Sequence, residues 1–179
     1  MPPATSQHVT TCAPSPDDAE ALSRVHFTAW LESYPNPRFG IDEDWIRQAV
    51  GRLVTPEGVA QWRRAVEDAR DHPDLHFCRV ARTVTRAVGF LCGHRAEAEV
   101  ASIGPMYVLA EFSGRGIGSR LMNEYLSWVG ERPVCLWVTV YNTRAIRFYT
   151  RHGFEISGER RQWRGKMPIV RMIRHPEWA

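Results

Sequence analysis

The sequence predicts a single α/β (α+β) domain in which helices flank a sheet of seven strands. The chain has 179 residues, a length that suits one domain with a sizeable hydrophobic core. Hydrophobic residues make up 44% of it and charged residues 24%, as is ordinary for a soluble globular protein. Stretches of alternating apolar residues, typical of strands, are interspersed with stretches of helical spacing.

The N-terminal part is expected to hold a loose tail over residues 1–7 and a first strand over residues 8–13. A helix then starts at Ser15, which is a suitable N-cap, because Pro16 fits the first helical position and two acidic residues follow. Apolar residues at helical spacing define the core face of this helix, and they are Leu22, Val25 and Ala29.

A loop and two helices are predicted for residues 35–74. Proline, asparagine and glycine place the loop over residues 35–40. The first helix is predicted over residues 42–51. The second is predicted over residues 56–71, with Thr55 as its N-cap and a proline soon after its end.

The remainder of the domain, up to residue 174, is expected to contain six strands and two helices. Gly104 and Pro105 fall inside one strand and indicate a bulge, because proline cannot donate a ladder hydrogen bond. Residues 175–179 are expected to form a second tail. The predicted strands span 75–82, 87–95, 97–109, 133–141, 154–163 and 167–174, and the predicted helices span 116–130 and 142–152.

Charge and hydropathy argue against nucleic-acid and membrane partners. The formal net charge is only +3, and basic residues near Trp163 are explained as well by the outer face of a late hairpin as by phosphate contacts. No uninterrupted apolar run is long enough to span a bilayer. Residues 1–8 lack the charged and apolar regions of a signal peptide, so a cytoplasmic location is expected.

The four cysteines are Cys12, Cys78, Cys92 and Cys135. None of them forms a C-x-x-C pair, so no metal site is expected. Because all four lie in apolar, strand-like segments, they are predicted to be reduced thiols in the core.

The most informative stretch runs over residues 107–122 and reads as a strand end, a glycine loop and the start of a helix. Gly114, Gly116 and Gly118 have no Cβ atoms, so an anion can approach their backbone closely. The unpaired N–H groups and the positive end of the helix dipole favour an anion there. Gly118 is followed by Ser119 rather than lysine, which excludes a Walker loop, and the third glycine of a dinucleotide fingerprint is missing.

A second stretch, residues 137–154, reads as a strand, an asparagine cap, a short helix and a glycine stop. It carries the pattern Asn142, Ala145, Phe148, Tyr149, Gly153 and Phe154. Together with the glycine loop, this pattern resembles the GNAT superfamily of acyl-CoA-dependent N-acetyltransferases over residues 8–174. Ser113 stands where that family usually has glutamine or arginine.

The resemblance implies a central mixed, mostly antiparallel sheet whose middle strands splay apart. It implies acetyl-CoA or coenzyme A as co-substrate, with no metal. The diphosphate would rest on the backbone of residues 114–119, and the pantetheine arm would fill the gap between the splayed strands. Arg144, Arg147 and Arg151 are candidates for the 3′-phosphate. The expected cofactor-binding residues are Met106, Val108, Ser113, Gly114, Arg115, Gly116, Ile117, Gly118, Ser119, Asn142, Arg147 and Tyr149.

The resemblance also implies direct transfer of the acetyl group to an amine. Tyr149 matches the general acid of the family, which protonates the departing thiolate. Many members place a glutamate base on the distorted strand, where this chain has Ser102. Glu99 is therefore the candidate base, with Glu97 and His94 as neighbouring alternatives.

The acceptor site is expected to involve Trp30, Tyr34 and Phe39, together with the helices of residues 35–74. A slight excess of acidic residues over residues 31–74 suits a cationic acceptor, although a solvated helix surface explains it at least as well. A small-molecule amine is the leading acceptor. A protein or peptide N-terminus, or a catalytically silent acyl-CoA sensor, is the alternative, and a homodimer stays open.

Overall fold

A computed structural model describes residues 8–95 and 100–176 of the chain. Within these ranges seven strands and five helices are present. The strands are β1 (Thr10–Cys12), β2 (His76–Arg82), β3 (Ala87–Arg95), β4 (Ala101–Val108), β5 (Val134–Thr139), β6 (Glu155–Trp163) and β7 (Met167–Arg174). The helices are α1 (Ala19–Ser33), α2 (Glu43–Val50), α3 (Pro56–Asp71), α4 (Ile117–Val129) and α5 (Thr143–Arg151).

The strands form one sheet in the order β1-β2-β3-β4-β5-β7-β6. The central pair, β4 and β5, is parallel, and the other neighbouring strands are antiparallel. This confirms the predicted mixed, mostly antiparallel sheet of seven strands.

Local capping explains why the helices begin where they do. The Thr55 side chain accepts a hydrogen bond from the Gly58 N–H at 3.4 Å, and α3 spans the predicted residues. The Asp42 carboxylate accepts from the Trp45 N–H at 2.8 Å and caps α2 in the same way. The predicted start at Ser15 is present as a short 3₁₀ turn that leads into α1.

The helices cover both faces of the sheet. Phe90 and Gly93 lie three positions apart on β3 and therefore face opposite sides. Phe90 meets the ring of Trp62 from α3 at 4.8 Å between centroids, next to α1. On the other side, Gly93 leaves room for the buried ring of Tyr125 from α4. A smaller apolar cluster under α2 joins the end of α1 to β7.

The structure corrects the prediction of four reduced core thiols. Cys78 and Cys92 lie directly opposite each other on β2 and β3, with Cα atoms 4.2 Å apart, and they form a disulfide. Cys12 is exposed and Cys135 is half-buried, both with free thiols. The sequence could not show the pairing, because it depends on the register between two strands rather than on spacing.

Among the residues that the structure describes, none of the helices has the length and apolar character needed to cross a membrane. The same residues contain no cluster of histidine, cysteine, aspartate and glutamate suited to a metal ion.

Candidate functional site

The site opens where the central strands separate. β4 pairs with β5 only at Ala101 and Ser102, and beyond these residues the two strands diverge. On its other side β4 carries an extra residue, because Gly104 and Pro105 together lie opposite Cys92 of β3. This confirms both the predicted splay and the predicted bulge. The splay leaves β4 backbone groups without a strand partner on that side.

A cavity of about 610 Å³ fills the gap, and we call it the coenzyme cavity. It is bounded by the end of β4, the glycine loop, the start of α4, and the facing parts of β5 and α5. Most of the predicted cofactor-binding residues line it, and they are Met106, Val108, Ser113, Gly114, Gly116, Ile117, Gly118, Ser119, Asn142 and Tyr149.

The glycines of the loop serve two different purposes. Gly114 and Gly116 have φ angles of 77° and 76°, the left-handed region that favours glycine. Gly116 comes directly before α4, so the first N–H groups of that helix point into the cavity mouth. Gly118 allows close packing, since a Cβ atom there would lie 3.3 Å from the Phe148 ring, a tight contact.

Two of the predicted cofactor-binding arginines do not line the cavity. Arg115 donates to the Glu111 carbonyl at 3.0 Å, and its guanidinium lies over the Phe112 ring. On α5, Arg144 and Arg151 line the cavity and Arg147 does not. Helical spacing alone does not separate them, because residues three, four and seven positions apart share one face of a helix. Contacts to the coenzyme through Arg115 and Arg147 stay predictions.

Three tyrosines converge at the inner end of the coenzyme cavity. The hydroxyls of Tyr34 and Tyr107 lie 3.0 Å apart and share a hydrogen bond. Burial raises the pKa of the Tyr149 phenol, and the nearby Tyr34 adds to the effect. Burial likewise raises the pKa of Tyr107 well above its usual value. All three therefore stay protonated at neutral pH and can donate a proton.

The structure does not describe residues 96–99, so the candidate base Glu99 and the alternative Glu97 lie outside the described residues. His94 is exposed, and its ring lies 3.1 Å from the Ser102 hydroxyl.

His26 lies one helical turn before Trp30 on α1 and was not among the predicted site residues. Its ring lies on α1 between the rings of Tyr107, Phe90 and Trp62, with centroid distances of 5.1, 5.5 and 5.7 Å. Burial lowers the pKa of His26 to about 4, so the imidazole is neutral at physiological pH. Within the described part of the chain, its Nδ1 atom is buried without a hydrogen-bond partner.

The predicted substrate residues separate into three positions. Tyr34 lines the coenzyme cavity, and Trp30 lines a second cavity of about 370 Å³, which we call the acceptor cavity. Phe39 stacks on Tyr141 with ring centroids 5.3 Å apart, and it is not among the described residues that line either cavity. Pro105 of the bulge borders both cavities.

Comparison with known proteins agrees with this geometry. Residues 19–154 match the model of the Acetyltransferase (GNAT) family, and the chain therefore belongs to that family.

Relatives of known sequence include two uncharacterized N-acetyltransferases. One, from Methanocaldococcus jannaschii, is 45% identical over 113 residues, which cover 58% of this chain and 47% of the relative. The other, from Mycobacterium tuberculosis, is 34% identical over 84 residues, covering 45% of this chain and 53% of the relative. The chain thus matches about half the length of these relatives.

Solved structures share the fold over nearly the whole chain. The PaiA N-acetyltransferase of Thermoplasma acidophilum, in complex with coenzyme A, has a TM-score of 0.77 at 18% identity, covering 94% of this chain and 99% of its own. Ard1 of Thermoplasma volcanium has a TM-score of 0.65 at 26% identity, covering 93% and 97%.

Proposed function

We propose that the protein is an acetyl-CoA-dependent N-acetyltransferase that moves an acetyl group directly to the amine of a small molecule. The observation that carries the proposal is one continuous cavity that joins the start of α4 to the gap between β4 and β5. Membership of the GNAT family and the coenzyme A complex of the Thermoplasma acidophilum structure support it.

The cavity suits the coenzyme at both ends. The N–H groups at the start of α4 and the left-handed backbone of Gly114 and Gly116 offer donors to a diphosphate. Arg144 and Arg151 add positive charge at the same mouth. The unpaired backbone of β4 near Val108 can pair with the amides of a pantetheine arm. Bound there, the thioester supplies an activated acetyl carbon.

Tyr149 is the proposed general acid. Its phenol lines the cavity and is kept protonated by burial, so it holds a proton to give to the leaving thiolate. Burial raises the pKa of this phenol above its usual value of about 10, so the transfer needs a thiolate whose pKa is likewise raised above about 8.5 by burial in the same cavity.

The proposed route for the proton that the amine must lose leads to water, past the neutral imidazole of His26. The neutral imidazole lines the acceptor cavity and contacts Tyr107, which borders the coenzyme cavity. With a pKa of about 4, His26 stays neutral and is too weak a base to hold this proton itself. Glu99, which the sequence alone suggested, stays a prediction.

The proposal is tested by replacing Tyr149 with phenylalanine and following thiol release from acetyl-CoA with a panel of amines. We expect turnover to fall by about 100-fold or more, while the affinity for coenzyme A is unchanged. Tyr125→Phe is the matched control, because it removes another buried hydroxyl from a ring that packs against Phe77 and lines neither cavity. Full turnover by Tyr149→Phe would refute the assignment of the acid.

A further inference from the structure

The acceptor cavity adjoins the coenzyme cavity, and aromatic side chains line both of them. The rings of Trp30 and Tyr34 are 4.4 Å apart between centroids, and Tyr34 is hydrogen-bonded to Tyr107. Pro105 lies on the border of both cavities. A molecule in the acceptor cavity would therefore meet the coenzyme cavity near the β4 bulge.

The walls of the acceptor cavity are largely flat aromatic surfaces. Trp30, Trp62 and Trp163 contribute indole rings, and His26 contributes its imidazole. The rings of Trp30 and Trp163 lie 4.9 Å apart at an interplanar angle of 39°. Such walls favour a planar, apolar guest, because stacked and edge-on ring contacts add to the burial of apolar surface.

One polar atom in these walls also lacks a partner among the described residues. It is Nδ1 of His26, and it is buried. Buried polar groups in native structures nearly always have a hydrogen-bond partner. A ligand that carries a polar group to this wall would supply one.

The charge at the mouth of the cavity is positive. Arg52 and Arg164 line it, and both side chains are exposed. The Arg164 guanidinium lies 5.0 Å from the centre of the Trp163 ring, and Arg52 is 3.5 Å from the Gln61 amide oxygen. Of the described residues that line the cavity, none is acidic, and neither arginine is ion-paired within that part of the chain.

The acidic residues that suggested a cationic acceptor lie elsewhere. The Asp42 side chain caps α2, Glu43 pairs with Arg47, and Asp71 pairs with Arg70. None of the described acidic residues of residues 31–74 lines the acceptor cavity, and Glu32 lines the coenzyme cavity instead.

We propose that the acceptor is a primary arylalkylamine that carries an anionic group at the end of the ring remote from the amine. This inference rests on the proposed acetyl transfer. The ring lies between the tryptophans, the anion meets Arg52 and Arg164 at the mouth, and the amine reaches inward past Pro105. The amine nitrogen bonds to the acetyl carbon as the carbon–sulfur bond breaks. The proton of the amine goes to water, and the thiolate takes one from Tyr149.

Four amines separate the features of this acceptor. They are 4-(2-aminoethyl)benzoate, with ring and anion; phenethylamine, with the ring alone; 5-aminopentanoate, with the anion alone; and spermidine, a polycation. We expect 4-(2-aminoethyl)benzoate to have the highest kcat/KM and spermidine the lowest. A preference for spermidine or for 5-aminopentanoate would overturn the inference.

Substitution of the two arginines tests the anion contact separately. The double variant Arg52→Gln and Arg164→Gln should raise KM for 4-(2-aminoethyl)benzoate about tenfold and leave KM for phenethylamine unchanged. Arg132→Gln, an exposed arginine that lines neither cavity, is the matched control. Equal effects on both amines would contradict the inference.

Calorimetry distinguishes failure of the inference from failure of the proposed function. 4-(2-Aminoethyl)benzoate is titrated into protein saturated with coenzyme A, with no reaction required. If 4-(2-aminoethyl)benzoate binds the wild type, binds the double variant more weakly, and no amine is turned over, the proposed ligand class is supported and the proposed function is refuted. Failure of this amine to bind would refute the ligand class, whatever the turnover with other amines.

Discussion

Stability in mild acid should depend on His26 more than on any surface histidine. Burial lowers the pKa of His26 from 6.5 to about 4. As the pH falls below 6.5, the unfolded chain binds a proton that the folded chain excludes, so the free energy of unfolding decreases. This loss continues until the folded-state pKa is reached.

The size of the effect follows from the shift. Between the two pKa values the free energy of unfolding falls by about 1.4 kcal/mol per pH unit. The total decrease reaches about 2 kcal/mol at pH 5. The variant His26→Phe keeps a ring against Trp62, Phe90 and Tyr107 and removes the titrating group. Between about pH 8 and about pH 5, the free energy of unfolding of this variant should therefore fall by about 2 kcal/mol less than that of the wild type.

Urea denaturation of both proteins at the two pH values measures this difference directly. An NMR titration of the imidazole provides a second readout, and it should show a neutral His26 down to about pH 5. Identical pH dependence in wild type and variant, or an imidazole that titrates near 6.5, would refute the reasoning.

Two further predictions concern stability and covalent structure. Gly93→Ala places a Cβ atom 2.4 Å from the Tyr125 ring. Urea denaturation should therefore show a free energy of unfolding lower by about 2 kcal/mol or more. The control Gly51→Ala meets no atom within 4 Å and should stabilise the protein by about 0.5 kcal/mol. Alkylation of the denatured, unreduced protein should leave Cys78 and Cys92 unmodified by mass spectrometry, and modification of both without reductant would contradict the disulfide.

The elements with strong local signals could be predicted closely from the sequence. α3 spans the predicted residues because Thr55 and Pro56 define its start and a proline follows its end. The strand β3 and the turn before β7 also lie where alternation and glycine placed them. These features depend on short-range chemistry that the sequence displays directly.

Features that depend on distant contacts could not be predicted. The pairing of Cys78 with Cys92 follows from the register of two strands. Which arginine of α5 faces the cavity depends on how the helix packs against β5. The acceptor cavity combines Trp62, Trp163 and Arg164 from separate elements, and only the folded chain brings them together. His26 carried a weak signal, since it shares a helical stripe with Trp30.

The loop that holds the proposed diphosphate can be tested with a matched pair of variants. Gly116→Ala places a side chain on a residue with a φ of 76° that lines the coenzyme cavity. Gly165→Ala places a side chain on a residue with a φ of 67°, in a turn that does not line this cavity. Strain of about 1–2 kcal/mol is expected at each position. Only Gly116→Ala should weaken coenzyme A binding, by about tenfold.

The most direct measurement is calorimetric titration of the wild-type protein with coenzyme A and with pantetheine. Pantetheine has the arm and lacks the diphosphate, so the comparison isolates what the start of α4 contributes. Coenzyme A should bind at least about tenfold more tightly than pantetheine, and Gly116→Ala should narrow that difference. Equal affinities for the two ligands, or no binding of coenzyme A at all, would contradict the account.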